Sequence, residues 1–341
     1  MLYTLKVASL ASQYGLLGRM YLTIFLIFAI GFAIIYAVMA AFGAGAYLIL
    51  IIAVLFFMLQ WYASPKMIAA ASRIRYIGKE EYPRLHVLVE ALAKQAHVPA
   101  PRIAIAPSKE PNAFVFGRTR KDSTLVIHEG LLPLLNGDEL KAVLAHEIGH
   151  IRHGDVSTMT FVSFIPVVAY IVAQQLFWSS FIGAGNSNSD AYFIIIGMFA
   201  FLAYFISNLM MLALSRARES YADEYSAEST GKPEDLARSL VKITSSNSSV
   251  ANASPNSTIA RSFYIVDFFT VDRDIREMKA HRKDIEKFLK GVDVDALLDQ
   301  AKPRRDSMWG MLNSITMTHP PVYRRVLDLF KLQNNGKVLM D

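Results

Sequence analysis

The 341-residue chain contains no cysteine. Disulfide staples, thiolate metal sites and a cysteine nucleophile are therefore excluded, and any metal must be held by His, Asp or Glu. Charge is also missing, in blocks. Residues 20–65 hold no Asp, Glu, Lys, Arg or His, and residues 156–215 hold no Lys or Arg and a single carboxylate, Asp190. With 53% of its residues hydrophobic, the chain is too apolar for an average soluble domain. No stretch interleaves basic and aromatic residues in a nucleic-acid-binding module, so no nucleic-acid partner is expected despite the net charge of +6.

The uncharged blocks are long enough for two helical crossings each, at roughly 20 residues per crossing. The first block breaks at "AFGAGAY", which predicts spans near 20–42 and 45–63. The second breaks at the polar turn "GAGNSNSD", which predicts spans near 158–182 and 191–214. A cleaved signal peptide needs a much shorter apolar core, about 7–15 residues. Residues 1–19, 64–157 and 215–341 carry 2, 13 and 20 basic residues, which account for all 35, and the two short turns carry none. The positive-inside rule places both termini and both large polar segments in the cytoplasm. The expected organisation is an N-terminal segment and hairpin over 1–64, a polar part over 65–157, a second hairpin over 158–214 and a second polar part over 215–341. Within the polar parts, 79–98 reads as an amphipathic helix, "PRIAIAP" and "NAFVFGRTRKDSTLVI" as short strands, 137–154 as a helix, 244–258 as a Ser/Asn-rich loop, and 271–341 as helical.

The stretch "LKAVLAHEIGHIRHGDV" (Leu140–Val156) carries three of the eight histidines. His146 and His150 are four apart, so a helix puts both imidazoles on one face, one turn apart. Glu147 between them projects beside the ion they could share. This is the H-E-x-x-H arrangement of two ligands and a general base. A catalytic zinc usually takes three protein ligands and keeps one position open. His153 is a poor third ligand, because seven residues carry it about 10.5 Å along the axis. Val156 stands where a metzincin would have its third His. Glu219, in "SRARESYADEYSAESTG", is the stronger candidate, and Asp223 four residues later can fix the tautomer of a ligand histidine. Glu224 and Glu228 are weaker alternatives. Antiparallel spans joined by a short turn would bring the cytoplasmic ends of the two segments side by side.

"LAHEIGHIRHGDV", "RESYADEYSAESTG" and "MTHPPVYRRV", in that order, resemble the HtpX-type integral-membrane zinc metalloproteases, which are related to the CAAX prenyl proteases; "PNAFVFGR" resembles the family's segment upstream of the zinc helix. The resemblance implies an α-helical membrane protein with four transmembrane helices and a mixed α+β cytoplasmic zincin-like (gluzincin) protease domain with a small sheet. It implies one Zn2+ per chain on His146, His150 and Glu219, with Glu147 catalytic and Asp223 behind the ligands. It implies that Asn112, Ala113, Phe114, Val115 and Phe116 pair with extended substrate by strand addition, and that His319 and Arg325 lie near substrate carbonyls. The plain alternatives are a cap before a Pro-Pro turn for His319 and a structural arginine for Arg325. The implied function is hydrolysis of misfolded or damaged membrane proteins at the cytoplasmic face of the cell membrane, as quality control under stress. The implied partners are polypeptide substrates and the lipid bilayer. A CAAX-type processing protease is less expected, because four spans cannot enclose that lineage's seven-span chamber. A non-catalytic zinc-binding membrane scaffold and a small transporter are the other classes; the spans lack the ionisable residues a transporter would need.

Overall fold

A computed structural model describes residues 46–156, 188–250, 271–289, 294–299 and 320–334, with isolated positions between 22 and 30 and between 158 and 174. The chain divides into two units, Met1–Ala63 with Thr158–Ala217, and Ser64–Ser157 with Arg218–Asp341.

In the second unit the sheet comes first. Strands β1 (Arg75–Tyr76), β2 (Arg102–Ala106), β3 (Ala113–Gly117) and β4 (Ser123–His128) lie in the order β1-β2-β4-β3. β2 and β4 are parallel, and the other two pairings are antiparallel. β4 is buried along its whole length because it lies between two neighbours. Successive side chains point to opposite faces. Ala104, Ala106, Phe114, Phe116 and Val126 meet Ile68, Ala69 and Ile74 on one face. Ile103, Ile105, Ala113, Leu125 and Ile127 join the main core on the other. β3 is an outer strand, and it contains or adjoins all of Asn112–Phe116; only Val115 among these is less than fully buried.

Three helices build the rest of that core. In α2 (Pro83–Gln95), Pro83 opens the helix, where its missing N–H costs nothing. Leu85, Val89, Leu92 and Ala93 form its buried face. α3 (Gly137–His153) begins in a full capping box between Asn136 and Glu139. It ends at Gly154, whose φ of 76° is the left-handed conformation that terminates helices. Every residue from Ala142 to Ile151 is buried. α5 (Pro233–Val250) packs on α3, with Lys242 Nζ 2.8 Å from Glu139 Oε2 and Ser239 Oγ donating to the Glu139 carbonyl. Short helices α6 (Val271–Ala280), α7 (Arg282–Leu289) and α8 (Val294–Asp299), with α9 (Val322–Asn334), complete the layer.

One expectation is corrected here. Thr244–Val250 is not loop but the last turns of α5. Ser and Asn are poor helix formers in isolation, yet Thr244, Ser245 and Asn247 are buried, and the Thr244 hydroxyl donates back to the Leu240 carbonyl at 2.7 Å. Tertiary burial outweighs local propensity. Residues 251–258 lie outside the described residues. The expected helix over 79–98 is shorter, Pro83–Gln95.

The chain's two longest described helices are α1 (Ala46–Ala71) and α4 (Asn188–Thr230). Ile51, Leu55 and Leu59 of α1 and Ile195, Phe199, Leu202 and Phe205 of α4 are exposed. Among the described residues no helix is long and apolar enough to cross a membrane. The expected spans near 20–42 and 158–182 fall largely outside the described residues.

Candidate metal centre

The buried run of α3 carries three titratable side chains, His146, Glu147 and His150, each less than a tenth exposed. Burying such groups is costly unless each finds a partner. The C-terminal part of α4 supplies Glu219 and Asp223 as partners for the two histidines. It lies close against α3: Ser226 Oγ donates to the Ala142 carbonyl at 2.7 Å, and Gly149 sits beside Ala222 and Tyr225.

His146 Nε2 and His150 Nε2 are 3.2 Å apart, and each is 3.4 Å from one oxygen of Glu219. The other nitrogens face away. His146 Nδ1 is 3.0 Å from Asp223 Oδ1, and His150 Nδ1 is 2.7 Å from Asp155 Oδ2. Each carboxylate is backed by a guanidinium. Arg325 donates Nε and Nη2 to Asp223 at 2.9 and 2.7 Å, with Nη1 3.3 Å from Glu219. Arg218 Nε is 2.9 Å from Asp155 Oδ1.

This geometry tests whether a metal ion fits. With each Nδ1–H set toward a carboxylate, the two Nε2 atoms bring their lone pairs within 3.2 Å of one another. That arrangement is repulsive unless a cation lies between them. Ligands at about 2.0–2.1 Å in a tetrahedron stand roughly 3.3 Å apart; the two Nε2 atoms are 3.2 Å apart, with Glu219 Oε2 3.4 Å from His146 and Glu219 Oε1 3.4 Å from His150. The donor set of two imidazoles and a carboxylate suits zinc.

The electrostatics agree. Burial alone would pull His146 down, but Asp223 and Glu219 outweigh it and hold the imidazole above its ordinary value. Burial opposes charge on His150 too, and Asp155 and Glu219 push it up to about 10. Burial raises Asp223 and Asp155, yet Arg325 and Arg218 respectively bring both below the usual carboxylate range. The carboxylates around the two imidazoles therefore favour positive charge at the point they share. Glu147 is the exception: burial dominates and lifts its proton affinity above that of an ordinary carboxylate.

The predicted residues are placed as follows. His146, His150 and Glu219 converge, Glu147 lies on the same buried helix, and Asp223 stands behind His146. His153 turns away to stack near Tyr221 and Tyr225. Arg325 is buried against Asp223 and Glu219, so carboxylates are its immediate partners. His319 lies outside the described residues. Sequence reasoning missed Asp155 and the part played by Arg218. The available signal was a carboxylate five residues after His150, just past the helix-ending glycine.

The model of Peptidase family M48 matches residues 79–333. "Protease HtpX homolog" of Methanothermobacter thermautotrophicus is 39% identical over 235 residues, covering 68% of this chain and 87% of that protein. The protein of the same name from Moorella thermoacetica is 36% identical over 239 residues, covering 70% and 80%. The crystal structure of S. mikatae Ste24p superposes with a TM-score of 0.50 at 16% identity, covering 96% of this chain and 66% of that one, a likeness of fold.

Proposed function

This chain belongs to Peptidase family M48 and is a zinc metalloendopeptidase, and from that premise we propose that it cleaves misfolded or damaged membrane proteins at the cytoplasmic face of the cell membrane. The observation that carries the enzymatic part is the convergence of His146 Nε2, His150 Nε2 and a Glu219 carboxylate, with the outward nitrogens of both imidazoles already engaged.

His146, His150 and Glu219 would hold one zinc ion. When bound, the ion supplies Lewis acidity to the scissile carbonyl and lowers the pKa of a coordinated water. Glu147 takes the proton of the attacking water on its carboxylate and returns it to the leaving amine. Its burial suits both tasks, because a raised proton affinity makes it a better base than an exposed glutamate. Arg325 pairs directly with both Asp223 and Glu219 and holds the Asp223 carboxyl below the usual carboxylate range. That β3, adjoining Asn112, is an outer strand of the sheet supports its pairing with an extended polypeptide through the backbone, which would make cleavage tolerant of side chains. His319 and Arg325 remain the candidates for substrate carbonyls carried over from the family resemblance.

The membrane part of the reading is supported by the uncharged runs and by the exposed apolar side chains of α1 and α4. Contiguous exposed apolar surface of that kind calls for a non-aqueous neighbour. The distribution of Lys and Arg supports a cytoplasmic site. The test is degradation of an unfolded membrane polypeptide by the purified, detergent-solubilised chain. A chelator should abolish cleavage and zinc should restore it, while Glu219→Ala should hold well under one zinc per chain and stay inactive. Cleavage that persists after complete removal of metal would overturn the proposal.

A further inference from the structure

We propose that Asp155 and Arg218 form a positioning pair that fixes two of the three metal ligands at once. The inference rests on the zinc reading of the site. Asp155 is buried, and its two oxygens are divided between two partners: Oδ2 faces His150 Nδ1 at 2.7 Å and Oδ1 faces Arg218 Nε at 2.9 Å. The first contact keeps the His150 proton on Nδ1. The Nε2 lone pair is thereby aimed at the point shared with His146 and Glu219. The second contact acts on the other side of the centre, because Arg218 is the residue immediately before Glu219.

The chain path explains why the pair sits there. Gly154, at a φ of 76°, ends α3 and turns the chain so that Asp155 comes back beside the last buried turn. A left-handed position of this kind favours glycine. Arg218, 8% exposed, lies in the helix that also carries Glu219 and Asp223. The ion pair thus joins the end of the His146/His150 helix to the start of the ligand-bearing part of α4. The Asp223–Arg325 pair does the equivalent for His146 from the opposite side. The two pairs differ in one respect: only Asp155–Arg218 is contiguous in sequence with a ligand segment at each end. Its loss should disturb the orientation of His150 and the register of Glu219 together.

Carboxylates behind metal-binding histidines typically contribute about 10–100-fold to metal affinity. The experiment measures the zinc dissociation constant of the detergent-solubilised full chain by competition with a chromophoric chelator. The variants are Asp155→Asn, Arg218→Gln and the double variant, beside thermal unfolding of each apo form. Asp155→Asn should bind zinc about 10–100-fold more weakly, and Arg218→Gln should weaken it by a smaller factor. The double variant should be no weaker than Asp155→Asn alone, because both residues act through one contact. Zinc affinity within threefold of the unsubstituted chain in Asp155→Asn overturns the proposal, as do fully additive losses. If Asp155→Asn does not fold, unchanged affinity in Arg218→Gln overturns it instead. A purely structural ion pair would lower apo stability while leaving zinc affinity intact. Failure of the unsubstituted chain to bind zinc would sink the metal reading itself and is distinguishable from all of these results.

Discussion

Histidine behaves in two opposite ways in this protein, and the neighbours decide which. His146 and His150 are buried against carboxylates, which outweigh burial and raise their affinity for a positive partner. His128, at the end of β4, is also buried, and its Nδ1 meets the Glu110 carbonyl, at 2.9 Å. There burial wins and the group falls from 6.5 to about 4. The consequence for stability has a definite sign. Between pH 6.5 and 4 the unfolded chain takes up a proton at this position that the folded chain refuses, so stability falls as pH falls through that window. A shift of this size corresponds to something on the order of 3 kcal/mol. Thermal unfolding of the full chain in detergent should show that loss, and His128→Gln should remove this residue's part of it between pH 6.5 and 4; identical pH profiles for the two would contradict the assignment. The ligand histidines were legible in sequence because spacing by four encodes a shared helical face. Asp155 was not, since its approach to His150 depends on the direction the chain takes after a left-handed glycine.

At the scale of the element, α3 is a helix whose polar and apolar sides are both buried. Its ends are set by local sequence, the Asn136/Glu139 capping box and Gly154. Its placement depends on Gly149, the residue before His150. A Cβ there would lie 3.1 Å from Tyr225 Cδ1 and 3.2 Å from the Ala222 Cα, which belongs to the helix bearing Glu219. Gly149→Ala should therefore push that helix outward. Alanine gains up to about 1 kcal/mol in helix propensity, but overpacking a tight contact costs about 1–3 kcal/mol. We expect a lower melting temperature and weaker zinc binding; a higher melting temperature with zinc affinity unchanged would show that the two helices have room to spare. The helix was readable from its caps and periodicity. The extension of α5 over Thr244–Val250 was not, because the burial of Thr244 and Asn247 comes from neighbouring elements and overrides a composition that reads as loop.

At the scale of the whole molecule, the metal centre is assembled from segments far apart in the chain. Glu219 follows His150 by 69 positions, and Arg325 lies about a hundred residues further on. The apolar block between the first two segments is what made that assembly legible: the hairpin expected there would return the chain to the side from which it left. The contribution of α9 was harder to foresee, since nothing local in "VYRRV" distinguishes the Arg that reaches Asp223 from its neighbour, and only the packing of α9 against α5 settles it. The account makes the site a zinc centre whose proton transfers run through Glu147. The most direct test is Glu147→Gln in the full-length, detergent-solubilised chain, with zinc content and cleavage of an unfolded membrane polypeptide measured on the same sample. The account predicts one zinc per chain and a loss of cleavage of about 10²–10⁴-fold. Cleavage within a few-fold of the unsubstituted chain, or zinc lost in parallel with activity, would contradict it.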